Sequence, residues 1–411
     1  MKTVLFACLL LLNLSALAVT PSKSTTLRPF KLDYQISLLP KTDQAKVQIT
    51  LGTGGTLVRE LNLRFDRKRF TAIQASGDFQ LGTSGARWRP NGEGATLSYL
   101  VKISHARDTS SFDARMTNEW AIFRGDRIVP GIQARMLKGA TSRATLQFEL
   151  PAGWTDVETG YARIAANRFA IDAPGRRFDQ PTGWIIAGQL GVRRDRFGST
   201  DVSIAAPKGG TLDRMAALTM IHLIWPQVEA VFGKTPRKIL IVSAGNPMWR
   251  GGLSSPNSFF LHADRPLVSE NSTSPLVHEL SHVISGIHGD DRSDWIAEGI
   301  AEFYSIEIPY RAGGMTQDRQ KKVYARLQHW SRDVRSLRVG SSSGKITARA
   351  VLLMRDLDLE VRSKTAGKRS LDDLVHALRL LRKVSTPQFI AAAERLAGGP
   401  LQTLDSPLLR P

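Results

Sequence analysis

Between Leu32 and Ala205 apolar and polar residues alternate in short runs. Lys46-Val47-Gln48-Ile49-Thr50-Leu51, Thr96-Leu97-Ser98-Tyr99-Leu100-Val101 and Thr145-Leu146-Gln147-Phe148-Glu149-Leu150 are the clearest of these, β-branched or aromatic with the two-residue period of a half-buried strand. Gly54-Gly55, Pro90-Asn91-Gly92 and Pro151-Ala152-Gly153 interrupt them at spacings typical of β-sandwiches. This stretch predicts an all-β module, and it contains no acid, histidine or glycine arrangement suited to catalysis.

After Lys208-Gly209-Gly210 the period changes. Leu212 to Phe232 is apolar nearly all round a helical projection and stops at Gly233, which predicts a buried helix with His222 as a core residue. Lys238 to Ser243 predicts a strand. Ser274 followed by Pro275 reads as a helix start, and Leu276, Val277, Leu280, Val283, Ile284 and Ile287 supply the buried face. Gly286 to Arg292 breaks that helix; Ser293 or Asp294 can cap a return helix that starts at Trp295 and ends at Pro309. Beyond Gly313-Gly314 the pattern is helical, with Arg319 to Arg338 and Thr347 to Arg362 as the long segments, Gly340 to Gly344 between them, and His376 read as another core residue. The expected class is α+β multidomain: 19–208 an N-terminal β domain, 209–313 the chemically informative unit, 314–411 a helical C-terminal domain. No internal repeat is visible.

Composition narrows the class. The chain has 411 residues, 42% of them hydrophobic, and Cys8 is its one cysteine, so cores form without disulfide staples. Met1-Lys2, the apolar run Val4 to Leu12 and Ala16-Leu17-Ala18 read as a secretory signal over 1–18. A lipid anchor on Cys8 is the rival reading, although the apolar run continues past it to Leu14. Cleavage would remove Cys8, leaving a soluble, thiol-free protein in the periplasm or outside the cell, with no further segment of membrane-spanning length. The Asn271-Ser272-Thr273 sequon is then expected to be unmodified, since the signal looks bacterial.

The formal net charge of +19 is unevenly spread. From Arg265 to Gly313 there are three basic and eight acidic residues; from Gly314 to Lys383 there are 17 basic and seven acidic. Export argues against a nucleic-acid partner, and the basic C-terminal part suits weak docking on an anionic envelope surface.

The chemistry concentrates between Ser274 and Tyr304. His278-Glu279-Leu280-Ser281-His282 puts two imidazoles one turn apart on one helix face, where both can reach one zinc ion and Glu279 can reach the metal's water. His282 and Glu298 lie at similar distances, roughly 6 to 7 Å, from the loop joining the two helices, so an antiparallel hairpin makes Glu298 the third ligand. Glu302, one turn later, can accept the free ring N–H of a ligand histidine. His288 lies ten residues after His278, the third-ligand spacing of metzincins, but Ser285 stands where that pattern turns on glycine. Glu307 and Asp290-Asp291 read as solvated charges.

Trp295-Ile296-Ala297-Glu298-Gly299 after His-Glu-x-x-His resembles the gluzincin zinc metallopeptidases, and within them most of all the glycyl aminopeptidase family; it is also similar to aminopeptidase N type enzymes. Gly251-Gly252-Leu253-Ser254-Ser255-Pro256-Asn257-Ser258 before the zinc helix, Asp358 to Arg362 and Ser370 to Leu374 add to the likeness. The resemblance implies a thermolysin-like catalytic domain, one Zn2+ per chain on His278, His282 and Glu298, Glu279 as general base, and Gly251, Gly252 and Leu253 aligning a peptide or protein substrate. It also exposes two departures. Ser254 stands where the clan's aminopeptidases carry the glutamate that holds a free amine, and Thr347-Ala348-Arg349-Ala350 stands where a tyrosine usually stabilises the transition state. Tyr310, Tyr324 or His329 is a replacement donor on this reading; a zinc-bearing binding protein without hydrolysis is the alternative.

Overall fold

In the computed structural model residues 26–83, 85–173 and 176–410 are described; the predicted signal and Cys8 lie outside them. The described residues form a mixed α/β assembly of several sheets and eight α-helices.

The alternation in the first half becomes a seven-stranded sheet, in which Arg28–Leu39 pairs antiparallel with Gln44–Leu51 and parallel with Ala140–Glu149. Ala95, Leu97, Tyr99 and Val101 are buried along one strand while the residues between them are not, as a two-residue period requires. A four-stranded sheet closes on this core. A five-stranded sheet, with Trp184–Gly188 and Trp120–Arg124 at its centre, is covered on both faces. Ile185 and Ala187 point into the β core; Trp184 and Ile186 point the other way, into the next layer. A short helix, α1 (Gly125–Ile128), follows Arg124.

That next layer is a second five-stranded sheet, in the order Leu190–Phe197, Thr200–Pro207, Lys238–Ala244, Ser258–His262 and Gly252–Ser255. Its first two strands come from the stretch read as the N-terminal module, so Lys208-Gly209-Gly210 leads from strand to helix within one sheet-and-helix unit. The segment Gly251 to Phe260 forms a hairpin, and Gly252–Ser255 is its outer arm at the sheet edge.

Helices cover the other face. α2 (Arg214–Phe232) is capped by Asp213, whose carboxylate accepts from Met215 N and Ala216 N. Eight of its residues pack inward, including Ile221, Ile224 and Trp225, but Met215 and Leu223 are about half exposed. His222 is not in the core: it lies on the surface, its Nε2 2.7 Å from Asp195, with Phe197 beside the ring. α3 (Pro275–Ser285) and α4 (Trp295–Arg311) form the antiparallel hairpin, and α5 (Gln317–Trp330), α6 (Lys345–Lys364), α7 (Leu371–Arg379) and α8 (Thr386–Ala397) complete the C-terminal part.

Four expectations about these helices change. α4 runs through Pro309 to Arg311, because Ala312 N still reaches Ile308 O and the missing proline N–H costs one bond in the last turn. Neither predicted cap acts as one: Asp294 Oδ2 accepts from Ser342 N at 2.7 Å, and Ser293 Oγ pairs with Thr386 Oγ1. α5 stops at Trp330, with Ser331 closing on Leu327 O, well short of Arg338. His376 is exposed rather than buried.

α4 and α6 approach closely at Gly299, where a Cβ would lie 3.0 Å from Ala350 Cβ and 3.3 Å from Met354 Cε. Valine there would wedge the helices apart. Gly299→Val is expected to lower stability by about 1 to 3 kcal/mol, read as a lower midpoint in urea unfolding.

Candidate metal centre

The α3 helix is positioned by its ends and its buried stripe. Ser274 Oγ accepts from Val277 N, Pro275 occupies the first turn, and Gly286 closes the helix in the left-handed conformation at φ 60°. Leu276, Val277, Leu280 and Ile284 anchor it to the sheet and to α4, so the face carrying His278 and His282 turns toward α4.

There the side chains converge. The Nε2 atoms of His278 and His282 lie 3.2 Å apart. Glu298 Oε2 is 3.6 Å from His278 Nε2, and Glu298 Oε1 is 3.3 Å from His282 Nε2. At a metal–ligand distance of about 2.0–2.1 Å, a tetrahedral ion sets its ligand atoms about 3.3 Å apart. The three residues therefore fit zinc with one position left open. Among the described residues they are the one His/Cys/Asp/Glu group so arranged, and His288 is not in it. His288 instead sits in a two-residue strand paired with Lys383–Val384.

Glu302 Oε2 lies 2.8 Å from His278 Nδ1. An Nδ1–H donated to this carboxylate leaves the Nε2 lone pair aimed at the other two donors. Ser305 Oγ, bonded to Glu302 O and Oε2, holds the carboxylate in turn.

The electrostatics call for a cation. Burial would lower the His278 pKa, but hydrogen bonds to Glu298 and Glu302 push it well above the ordinary imidazole value. Burial would raise Glu298, yet bonds from His278 and His282 hold it well below the usual carboxylate range. Glu279, only 8% exposed, is raised mainly by desolvation, opposed by the two histidines. Three carboxylates around two imidazoles leave net negative charge in a desolvated place.

Glu279 meets the sheet edge. A Cβ on Gly252 would fall 2.4 Å from Glu279 Oε1, so only glycine lets this strand pass over the carboxylate. Gly251 O accepts from His262 N, which places Gly251 and Leu253 in the inward-bonded register and turns the N–H and C=O groups of Gly252 and Ser254 outward. The Ser254 amide accordingly bonds Glu279. The hydroxyl-bearing residue at the departure from the clan pattern thus contributes its backbone.

The candidate donors do not join this group. Tyr324 OH donates to Glu307 at 2.7 Å, nine residues past Glu298. Tyr310 lies twelve residues, about 18 Å, along the same helix from Glu298. His329 sits beside Arg332 and lines a cavity of about 370 Å3 with Asn271, Val323, Leu327 and Trp330. Thr347 is buried on α6. Glu307 is not a solvated charge, since Gln320, Tyr324 and Arg311 surround it; Asp290 is half-exposed and paired with Lys383, and Asp291 is exposed. One contact had no signal in the sequence: Trp184 Nε1 donates to Leu253 O at 2.8 Å, tying the edge strand to the β module. A tryptophan in a uniformly apolar strand gives no hint of which distant carbonyl it meets.

No protein-family model matches the chain, and no curated protein matches it significantly. Solved structures do. It is similar to an aminopeptidase N family protein from Idiomarina loihiensis, with TM-score 0.66 and 15% identity, over 88% of this chain and 72% of that one. It is similar to an M1 zinc metallopeptidase from Deinococcus radiodurans, with TM-score 0.53 and 15% identity, over 94% and 95%. Legionella pneumophila aminopeptidase A, solved with aspartic acid, gives TM-score 0.53 and 14% identity over 94% and 49%. The chain has the fold of these zinc peptidases.

Proposed function

We infer that the protein is an exported zinc metallopeptidase. The observation that carries this is the spacing of 3.2 to 3.6 Å among His278 Nε2, His282 Nε2 and the Glu298 carboxylate, with Glu279 beside them and the sheet edge above it. His278, His282 and Glu298 would hold zinc, which when bound would supply the Lewis acidity that brings the pKa of a water toward about 7. Glu279 takes the proton of the attacking water and passes it to the leaving amine, as its place beside the three donors and under the sheet edge allows. The outward N–H and C=O groups of Gly252 and the Ser254 carbonyl align a peptide as an added antiparallel strand. The likeness to the glycyl aminopeptidase family belongs to this reading, as does a periplasmic or secreted location, supported by the apolar run and Ala16-Leu17-Ala18.

The test is zinc stoichiometry with peptide cleavage on the mature protein. One zinc per chain and chelator-sensitive cleavage of mixed peptides with free and blocked N-termini are expected; protein without stoichiometric zinc rejects the reading. Gly252→Ala probes the strand contact. The new methyl displaces Glu279 by about 1 Å, and cleavage should drop about 100-fold with zinc retained.

A second reading, a zinc-bearing binding protein that no longer hydrolyses, is favoured by one observation: Tyr310, Tyr324 and His329 are all engaged or placed elsewhere. Under it the parent and Glu279→Gln are equally silent on a peptide library while zinc is bound.

A further inference from the structure

Beside the edge strand lies a cluster of guanidinium groups that the peptide-bond chemistry leaves unused. Arg69, Arg124 and Arg127 line a corner cavity of about 20 Å3 shared with Trp184 and Leu253. The acids nearby are committed. Arg124 Nε donates to Asp126 Oδ1 at 3.2 Å, and Asp113, which also lines the cavity, pairs with His105 at 2.7 Å. Arg69 and Arg127 have no carboxylate within ion-pair distance among the described residues; Arg69 gives its N–H to the Arg127 and Lys102 carbonyls instead. Burial, together with the Arg127 charge, pulls the Arg69 pKa down, against the opposing charges of Asp66 and Asp113.

The cavity's position links it to the cleft. Leu253 stands between Gly252 and Ser254, the two residues that flank Glu279, and packs on the opposite face with Trp184 and Phe260. Side chains of a strand added along the free edge alternate between the Glu279 face and the arginine face at about 3.3 Å per residue. The volume accommodates about one water-sized group, room for a single carboxylate oxygen rather than a whole side chain. A planar guanidinium fork is the protein group best shaped for that anion.

We propose that this corner is a carboxylate-recognising subsite, so that the preferred substrate carries an acidic group within about one residue of the cleaved bond. The proposal rests on the peptidase reading and names the substrate class for it. Either an aspartate or glutamate side chain or a free chain terminus could supply the carboxylate. Two peptide sets separate these: doubly blocked decapeptides with Glu, Gln or Lys scanned through each position, and short peptides ending in carboxylate or amide.

The parent should cleave one carboxylate-bearing peptide at least about tenfold better in kcat/KM than its neutral counterpart, the size expected of a charge-assisted hydrogen bond. That ratio should collapse toward one in Arg127→Gln and turn in favour of Lys in Arg127→Glu. It should persist in Arg59→Gln, a control on the exposed side of the strand Val58–Leu63. Absence of any carboxylate preference in the parent, or its survival in both Arg127→Gln and Arg69→Gln, overturns the proposal. Equilibrium binding of the same peptides to zinc-loaded Glu279→Gln reads the subsite without turnover. A protein that cleaves nothing then defeats the peptidase reading, while the affinity ratio still decides the subsite.

Discussion

Glu279→Gln is expected to slow peptide hydrolysis by about 1,000-fold while zinc content stays at the parent level, the usual scale for losing a positioned general base. Glutamine keeps the shape of the side chain and can still accept the Ser254 amide, so the strand and the helix need not move. What disappears is the site that takes and returns a proton. Glu279 does not belong to the group of three converging donors, so its replacement leaves the metal's ligands untouched. Single-turnover cleavage beside a zinc assay separates the two effects. A variant as fast as its parent would remove Glu279 from the chemistry, and a variant that loses zinc would make it a ligand.

His282→Ala should abolish tight zinc binding, leaving no more than about 0.1 zinc per chain after dialysis, because two ligands cannot hold a site that needs three. The effect on stability follows by linkage. Zinc present at 100 times its dissociation constant stabilises the folded parent by about 2.7 kcal/mol, and a chelator withdraws that. The parent's unfolding midpoint should therefore fall on chelation, while that of His282→Ala should not respond. Calorimetry with and without chelator, at fixed protein concentration, reads the difference. Retention of stoichiometric zinc by His282→Ala would show that Glu298 and His278 have another partner. The environment makes loss the expected result, since Glu298 depends on both histidines to stay ionised in a desolvated pocket.

The local part of this architecture was legible because it is governed by short-range rules. An imidazole pair at four-residue spacing shares a helix face wherever the helix forms, and Ser274-Pro275 and Gly286 set where it starts and stops. The two-residue alternation of Ala95 to Lys102 likewise survives as a buried and an exposed face. Glu298 was reachable by the same arithmetic, since equal distance from one connecting loop brings two positions level in any antiparallel hairpin. Where a single turn of helix competes with its surroundings, the local signals weaken. Pro309 did not stop α4, and Asp294 gave its carboxylate to Ser342 rather than to its own helix.

Contacts between distant segments carry no such period. Gly252 lies over Glu279 because α3 packs on the edge of its sheet, Arg69 meets Arg124 and Arg127 within the β module, and Trp184 reaches Leu253 because two sheets stack with Ile122, Trp184 and Ile186 facing Leu240, Val242 and Phe260. Each of those strands is apolar on both faces, and an apolar face specifies burial without specifying its partner. The same holds for His222 and Glu307, whose surroundings were misjudged because exposure is a property of the packed whole. Spacing along the chain was enough to bring His278, His282, Glu298 and Glu279 together, since helix geometry repeats every few residues. Which backbone crosses that base, which tyrosines stay away from it and which charges border it depended on how complete layers pack, and that is settled by the fit of whole surfaces rather than by any local run of residues.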